Sequence, residues 1–406
     1  MSLLKEVEKV VYFQVLSILI SIFGAYVLVL NVISLTRSIP ESTEIILLND
    51  TLPSPSIREL LKTWVIREEP DSPRPRALLD IPDFRFVLNN VSVCAPKQRS
   101  PRGIGIRAPR YPSDPDKPYR PGEGVYFMIL VHSAPHHFAE RQAIRSTWGS
   151  VRTLKNWAIR LVFLLGTDTP PLDASVRKSV FRESFLFGDI VAGNFHDSYR
   201  NLTYKHLMGY QWALTYCPGA TFILKTDDDA FIDIFQLFEF TTKTYGFNPE
   251  DTLVCNVFPE GTKPVRDDDV DSETTIIENN SNSNMDGGKK WLVTREEYPH
   301  DKYPKYCGGL AYLITPDILE RIVRVSERSR FFWIDDVYVT GVLRELVEKE
   351  PFYLNLRYSY EPEEYRKWLM DRKPRKIPFM IVHVERGSKF SKEMNHMWRK
   401  TMRVWS

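Results

Sequence analysis

Short apolar runs alternate with amphipathic stretches from Val125 almost to the end of the chain. VYFMILVHS, bounded by Gly122, Gly124 and Pro135, is continuous and apolar, and reads as a central parallel strand. FAERQAIRSTWGS follows with helical spacing and ends near Gly149. Ile159 to Thr167 predicts a second strand, Ala174 to Phe187 a helix, and DIVAGNF a third, weaker strand. A long helix, Arg200 to Cys217, leads into the β-branched run TFIL at Thr221 to Leu224; helical spacing resumes at once in AFIDIFQLFEF. Thr252 to Phe258, GLAYLIT and PFMIVHVERG read as later strands, with a helix from Pro316 to Val325 and a helical pattern in FFWIDDVYVTGVLREL. Strands alternating with helices imply right-handed βαβ units: an α/β fold with a mainly parallel central sheet flanked by helices, over residues 122–406.

Upstream of Val125 the pattern is different. Residues 10–36 are uncharged, and as a helix these 27 residues would measure roughly 40 Å against a hydrocarbon core of about 30 Å. The stretch is longer than the apolar region of a cleaved signal peptide, so it reads as a single transmembrane signal anchor behind a cytoplasmic tail, 1–9. Residues 37–121 carry about half of the 28 prolines and read as an extended lumenal stem, within which DFRFVLNNVSVC is either an edge strand or a small docking piece. Asn49, Asn90 and Asn279 open glycosylation acceptor triplets. Four cysteines with no zinc-like spacing are compatible with one or two disulfides in an oxidising compartment, their pairing open. A net charge of +2 gives no argument for nucleic acid.

Asp227, Asp228 and Asp229 follow the TFIL strand directly, at the carboxyl edge of the sheet, where open α/β sheets bind ligands. Hard carboxylate oxygens there suit a divalent cation such as Mg²⁺ or Mn²⁺, which could hold a diphosphate. Alone, such a triplet is most often a solvated turn. A second triplet, Asp267 to Asp269, has neither a strand before it nor a helix after it; it falls in the polar segment 267–290 and is assigned to a surface loop. Trp148 and Trp212 read as core.

ERQAIRSTWG, FLLG, DSYRNLTYK, KTDDDAFID, YPKYCGGLAYLIT and IDDVYVTG occur in that order. In these blocks, from Val125 to about Gly341 and more loosely at HVE, the chain resembles the β-1,3-galactosyltransferase and β-1,3-N-acetylglucosaminyltransferase family, Golgi type II membrane hexosyltransferases with a GT-A type, Rossmann-like fold. The stem does not match, and the loop after Asp267 is longer than the family's usual turn. The resemblance implies that Asp227 to Asp229 hold Mn²⁺ against the diphosphate of a UDP-sugar, with Asp229 the direct ligand and His383 completing the metal shell. It implies Asp336 as the general base toward the acceptor hydroxyl, supported by Asp335, in a single displacement that inverts the anomeric centre. Arg141, Arg145 and Lys205 would contact the nucleotide or the carboxylates that bind it. Gly309 and Leu310 stand where many members read SGTGY, which bears on donor choice.

Each of these residues also has a simpler reading. His383 lies in an apolar strand and could be core; Asp335 and Asp336 could cap a helix; Arg141 and Arg145, four apart, could form exposed salt bridges. The expected activity is transfer of a sugar, galactose first and N-acetylglucosamine or N-acetylgalactosamine as alternatives, to a glycan on protein, lipid or proteoglycan. A membrane-tethered glycan-binding protein without catalysis is the competing class; a phosphohydrolase fits poorly, for want of a nucleophilic Asp with downstream partners. Homo-oligomerisation stays open.

Overall fold

The computed structural model describes residues 57–62, 64–65, 78–95, 124–167, 174–266, 289–353, 358–371 and 375–405, all within one compact unit, Pro55–Ser406. The expected membrane anchor, most of the stem, the sequons at Asn49 and Asn279 and residues 267–288 lie outside the described residues. No described helix is long and apolar enough to cross a membrane.

Twelve strands are described: β1 Phe86–Leu88, β2 Val125–His132, β3 Thr153–Leu154, β4 Trp157–Gly166, β5 Ile190–Gly193, β6 Phe222–Asp227, β7 Ala230–Ile232, β8 Leu253–Phe258, β9 Tyr306–Ile314, β10 Phe352–Tyr353, β11 Tyr358–Ser359 and β12 Ile381–His383. The main sheet runs β1-β5-β4-β2-β6-β9-β8-β10, with β3 beside β4. Its centre, β5-β4-β2-β6, is parallel, as the alternation of strands and helices requires. Toward the margins β9 runs antiparallel to both β6 and β8 and β1 is an antiparallel edge strand on β5, while β10 pairs parallel with β8, so the sheet is mixed.

The central strands read as unbroken apolar runs because both faces are covered. Met128 and Leu130 of β2 face one core with the Leu202–Tyr216 and Pro316–Ser326 helices; Phe127, Ile129 and Val131 face the other, with Ile144, Leu237 and Met394. Trp148 and Trp212 are buried, as expected, and each indole N–H is satisfied, by the Ala230 carbonyl and by Asn89 Oδ1. Disulfides join Cys94 to Cys217, fixing the β1 segment to the long helix, and Cys255 to Cys307, joining β8 to β9. At Asn90 the side-chain amide donates to the Gly188 carbonyl at 2.6 Å, so this sequon's nitrogen is engaged.

Two elements depart from the sequence pattern. The helix expected from Ala230 begins only at Ile234, because Ala230–Ile232 forms β7 in a second sheet, β11-β12-β7. All three β7 side chains are buried, and Asp233 caps the delayed helix by accepting the Gln236 N–H at 3.1 Å. The segment after Asp336 is a π-helix, Val337–Leu343, buried on every side and therefore without an amphipathic period.

Candidate active site

β6 and β7 meet at the acidic triplet, and the small second sheet sets what faces it. β12 pairs with β7 so that His383 lies opposite Ala230, and the Val384 N–H donates to the Asp229 carbonyl at 2.8 Å. His383 Nε2 is thereby brought 3.6 Å from Asp229 Oδ2. The neighbouring Asp229 carboxylate raises the His383 pKa. Asp227 emerges from the end of β6 about a third exposed (36%) and takes the Lys225 ammonium at 2.7 Å. Burial pushes its carboxyl up to about 6 against the opposing pull of Lys225. Asp227, Asp229 and His383 line one wall of a cavity of about 650 Å³.

Asp335 and Asp336 line the same cavity. Asp336 caps the π-helix, its Oδ1 accepting the Val337 N–H at 2.8 Å, so the capping reading holds while its other oxygen stays on the cavity side, near Gly309. Burial first, and then the charge of Asp335, pushes the Asp336 carboxyl up to about 7. Burial would raise Asp335 too, but a hydrogen bond from His206 and the charge of Lys225 hold it below the usual carboxylate range. Adjacent carboxyls with protonation pushed apart in this way mark one fixed anion and one group able to exchange a proton near neutrality. Aromatic side chains line much of the rest of the cavity: Tyr199, Trp291, Trp333, Tyr303, Tyr306 and Tyr360.

The other sequence candidates stand elsewhere. Asp228 is fully buried, bonded to His137 Nδ1 at 2.8 Å and to Arg386 at 2.5 Å, and is not among the cavity's lining residues. Burial would raise its carboxyl, yet the His137 hydrogen bond and the Arg386 charge win and hold it at about 2. Arg141 is also fully buried: it clasps Glu183 through two nitrogens, at 2.8 and 2.7 Å, and donates to Ser133 and the Ala134 carbonyl. Arg145 makes a two-nitrogen pair with Asp189, contacts Glu183, and lies between the rings of Phe163 and Phe187. Lys205 bridges the Ser133 carbonyl and Asp197. The structure therefore gives Arg141, Arg145 and Lys205 internal carboxylate partners instead of an open face, and the two arginines are interior rather than exposed salt bridges.

Sequence reasoning passed over Arg386, Lys225 and His206. Arg386 reaches Asp229 at 2.9 Å as well as Asp228, and Lys225 donates to both Asp227 and the Gly309 carbonyl. Lys225 carried a signal: a lysine inside an apolar strand, two positions before an acidic turn, needs a buried partner. His206 carried none, since its partners, Asp335 and Tyr312, lie more than 100 residues away in sequence.

The Galactosyltransferase family profile matches residues 139–350. Beta-1,3-galactosyltransferase 1 of Homo sapiens and of Mus musculus are each 33% identical over 232 residues, 57% of this chain and 64% of the relative. Beta-1,3-galactosyltransferase 5 of Pan paniscus is 34% identical over 221 residues, 54% of this chain and 65% of the relative. The matched stretch thus spans just under two-thirds of these relatives' length. Among solved structures, the galactosyltransferase LgtC with donor and acceptor sugar analogs aligns over 69% of this chain and 96% of its own, at 11% identity and a TM-score of 0.32. With the profile covering more than half of its length, the chain belongs to the galactosyltransferase family.

Proposed function

We propose that the protein is an inverting, metal-dependent β-1,3-hexosyltransferase that moves galactose from UDP-galactose to a hydroxyl of a glycan acceptor, in a GT-A type arrangement. The observation that carries this reading is one cavity with two unlike carboxylate groups: Asp227 and Asp229 with His383, and Asp336 with its pKa near 7. Two carboxylates and an imidazole form a donor set suited to Mn²⁺, and the open faces of Asp227 and His383 leave it reachable. Bound there, the cation would supply positive charge to the departing diphosphate.

The chain's own residues do the rest. Asp336, ionised above about pH 7, accepts the proton of the acceptor hydroxyl as that oxygen attacks the anomeric carbon. A single displacement by one base inverts the centre, so an α-linked donor yields a β-linked product. Exposed faces of Tyr199, Trp291 and Tyr360 offer stacking surfaces for the apolar face of a pyranose. The two disulfides support an oxidising, lumenal location, in keeping with a Golgi type II membrane protein anchored through residues 10–36.

The test is donor-resolved transfer by the full chain with UDP-galactose, UDP-N-acetylglucosamine and UDP-N-acetylgalactosamine, each with Mn²⁺ or chelator, beside Asp229→Ala and Asp336→Asn. Metal-dependent turnover of UDP-galactose, lost in both variants, is the expected result. Turnover of an N-acetylhexosamine donor instead would change the sugar. Folded protein that binds glycans and turns over no donor would establish the tethered binding protein.

A further inference from the structure

Behind Asp335 three fully buried side chains run in single file, none of them lining the cavity. Asp335 Oδ2 lies 2.8 Å from His206 Nδ1; His206 Nε2 meets the Tyr312 hydroxyl, which meets the Tyr210 hydroxyl. The fold assembles them from separate elements: His206 and Tyr210 one turn apart on the Leu202–Tyr216 helix, and Tyr312 from β9 opposite Lys225.

For a neutral ring, proton counting fixes the direction of every bond. An ionised carboxylate only accepts, so His206 Nδ1 carries the hydrogen. In a neutral ring Nε2 then accepts, Tyr312 donates to it, and Tyr210 donates to Tyr312. No group in the file is left with two donors or two acceptors facing each other. Burial, opposed by Asp335 and helped by Lys225, keeps His206 below its ordinary pKa and so neutral at pH 7.

We propose that His206 is a positioning residue: locked as the neutral Nδ1–H tautomer by Tyr312 and Tyr210, it holds Asp335 oriented and ionised beside Asp336. The proposal rests on the reading of Asp336 as the base. A fixed anion at Asp335 is what lifts Asp336 towards neutrality, after burial itself. The charged and titratable groups facing the Asp335–Asp336 pair are His132 from β2, Tyr199 just before the long helix, His206 and Tyr210 from that helix, Lys225 and Asp227 from β6, Tyr303 just before β9, Tyr306 and Tyr312 from β9, and Tyr360 just after β11.

A cation is the competing occupant, since ring nitrogens of His132 and His206 and an oxygen of Asp335 lie within 4.8 Å of one another. His132 Nδ1 is 3.8 Å from Asp335, and its Nε2 has no hydrogen-bond partner. Ligation would require His206 to give up the proton it donates to Asp335. It would also place a dication near the buried ammonium groups of Lys225 and Lys205, whose charges already press on His132. The hydrogen-bonded file satisfies His206 and Asp335 without that repulsion, leaving only His132 Nε2 unpaired at this cluster.

The test uses the full chain labelled with ¹⁵N-histidine, with His206 assigned by the resonances missing in His206→Asn. The expected spectrum shows Nδ1 protonated and Nε2 bare at pH 7 to 8, unchanged by added Zn²⁺. An imidazolium, the opposite tautomer, or a Zn²⁺-dependent shift overturns the proposal, whatever the enzyme's activity. In transfer assays, His206→Phe frees Asp335 to keep a proton, so Asp336 no longer titrates against a fixed charge. The acid limb of kcat/KM then moves to lower pH by about half a unit or more, while His206→Asn, whose amide can replace the Nδ1 donor, restores it. An acid limb that stays in place in His206→Phe, with kcat merely lower, also overturns it. Wild-type protein inactive with every donor would instead sink the enzyme reading and leave the spectrum to judge the tautomer.

Discussion

Gly309 lies against Asp336 so closely that a Cβ at position 309 would sit 3.3 Å from Asp336 Oδ2 and 3.5 Å from its Cβ. The neighbour cannot give easily, because Asp336 is tied to the Val337 N–H and caps a buried helix. Gly309→Ala is therefore expected to push the carboxylate out of line, lowering kcat by about tenfold to a hundredfold with little effect on the donor KM. Steady-state kinetics on the variant check this, and an unchanged kcat would show that Asp336 tolerates displacement.

The pKa of Asp336 sets a pH dependence of definite sign. Its carboxyl is raised to about 7, so the base form is lost as pH falls through 7. kcat/KM should decline tenfold per unit on the acid side of about pH 7, well above the ordinary carboxylate range. The same shift means that ionising Asp336 costs folding stability: the raised pKa favours the folded state below it, so relief is expected as pH drops from 7 towards 5. Asp336→Asn should remove both effects, losing roughly 10²–10⁴ in rate while folding at least as stably. Thermal unfolding against pH, beside the rate profile, reads both.

Much of this was legible in the amino-acid sequence alone. The helix Ala174–Phe187 and strands β2, β4 and β6 are continuous patterns whose local propensity and burial agree. Asp227, Asp229, Asp335, Asp336 and His383 stood in recognisable blocks, and all five line one cavity. What was not legible depends on pairings across the chain. β7 looks helical until β12, about 150 residues on, offers it a partner strand. Asp228 is indistinguishable from its neighbours in an Asp-Asp-Asp run, and only the alternation at the strand end turns it inward to His137 and Arg386.

Trp291 stands 45% exposed at the cavity, its indole N–H donating to the Tyr199 hydroxyl at 2.7 Å. That bond holds the two rings as one surface facing the space next to Asp336. Removing the larger ring should weaken acceptor stacking by about 1 kcal/mol, raising the acceptor KM roughly fivefold to tenfold at constant donor KM. Trp291→Ala against Trp291→Phe, with both KM values measured, separates loss of stacking from loss of the hydrogen bond.

Asp229 carries more contacts than a ligand needs: His383 at 3.6 Å and Arg386 at 2.9 Å share its Oδ2. Arg386 takes the same Asp229 oxygen that a cation would use, so a bound cation must compete with it. Arg386→Gln is then expected to tighten Mn²⁺, and Asp229→Asn to weaken it by at least about tenfold. Titration calorimetry with Mn²⁺ and UDP measures both, and weaker Mn²⁺ binding by Arg386→Gln would mean that the arginine orients Asp229 for the metal.

Arg141 offers the sharpest separation between what its sequence block implies and what its geometry does. A nucleotide-contacting arginine would leave a guanidinium edge towards the cavity. Here Arg141 has no exposed surface, and its donors are taken by Glu183, Ser133 and the Ala134 and Pro135 carbonyls. Removing Arg141 leaves Glu183 with Arg145 as its partner at Oε1 but takes the Arg141 donor from Oε2, a loss of about 1–3 kcal/mol. Arg141→Met should therefore lower the melting temperature by several degrees while the folded fraction keeps its affinity for UDP. Adding Glu183→Gln removes the half-satisfied carboxylate and should recover part of the loss, with Arg145 still held by Asp189. Full stability with lost UDP binding would instead assign Arg141 to the nucleotide, which the buried clasp on Glu183 argues against.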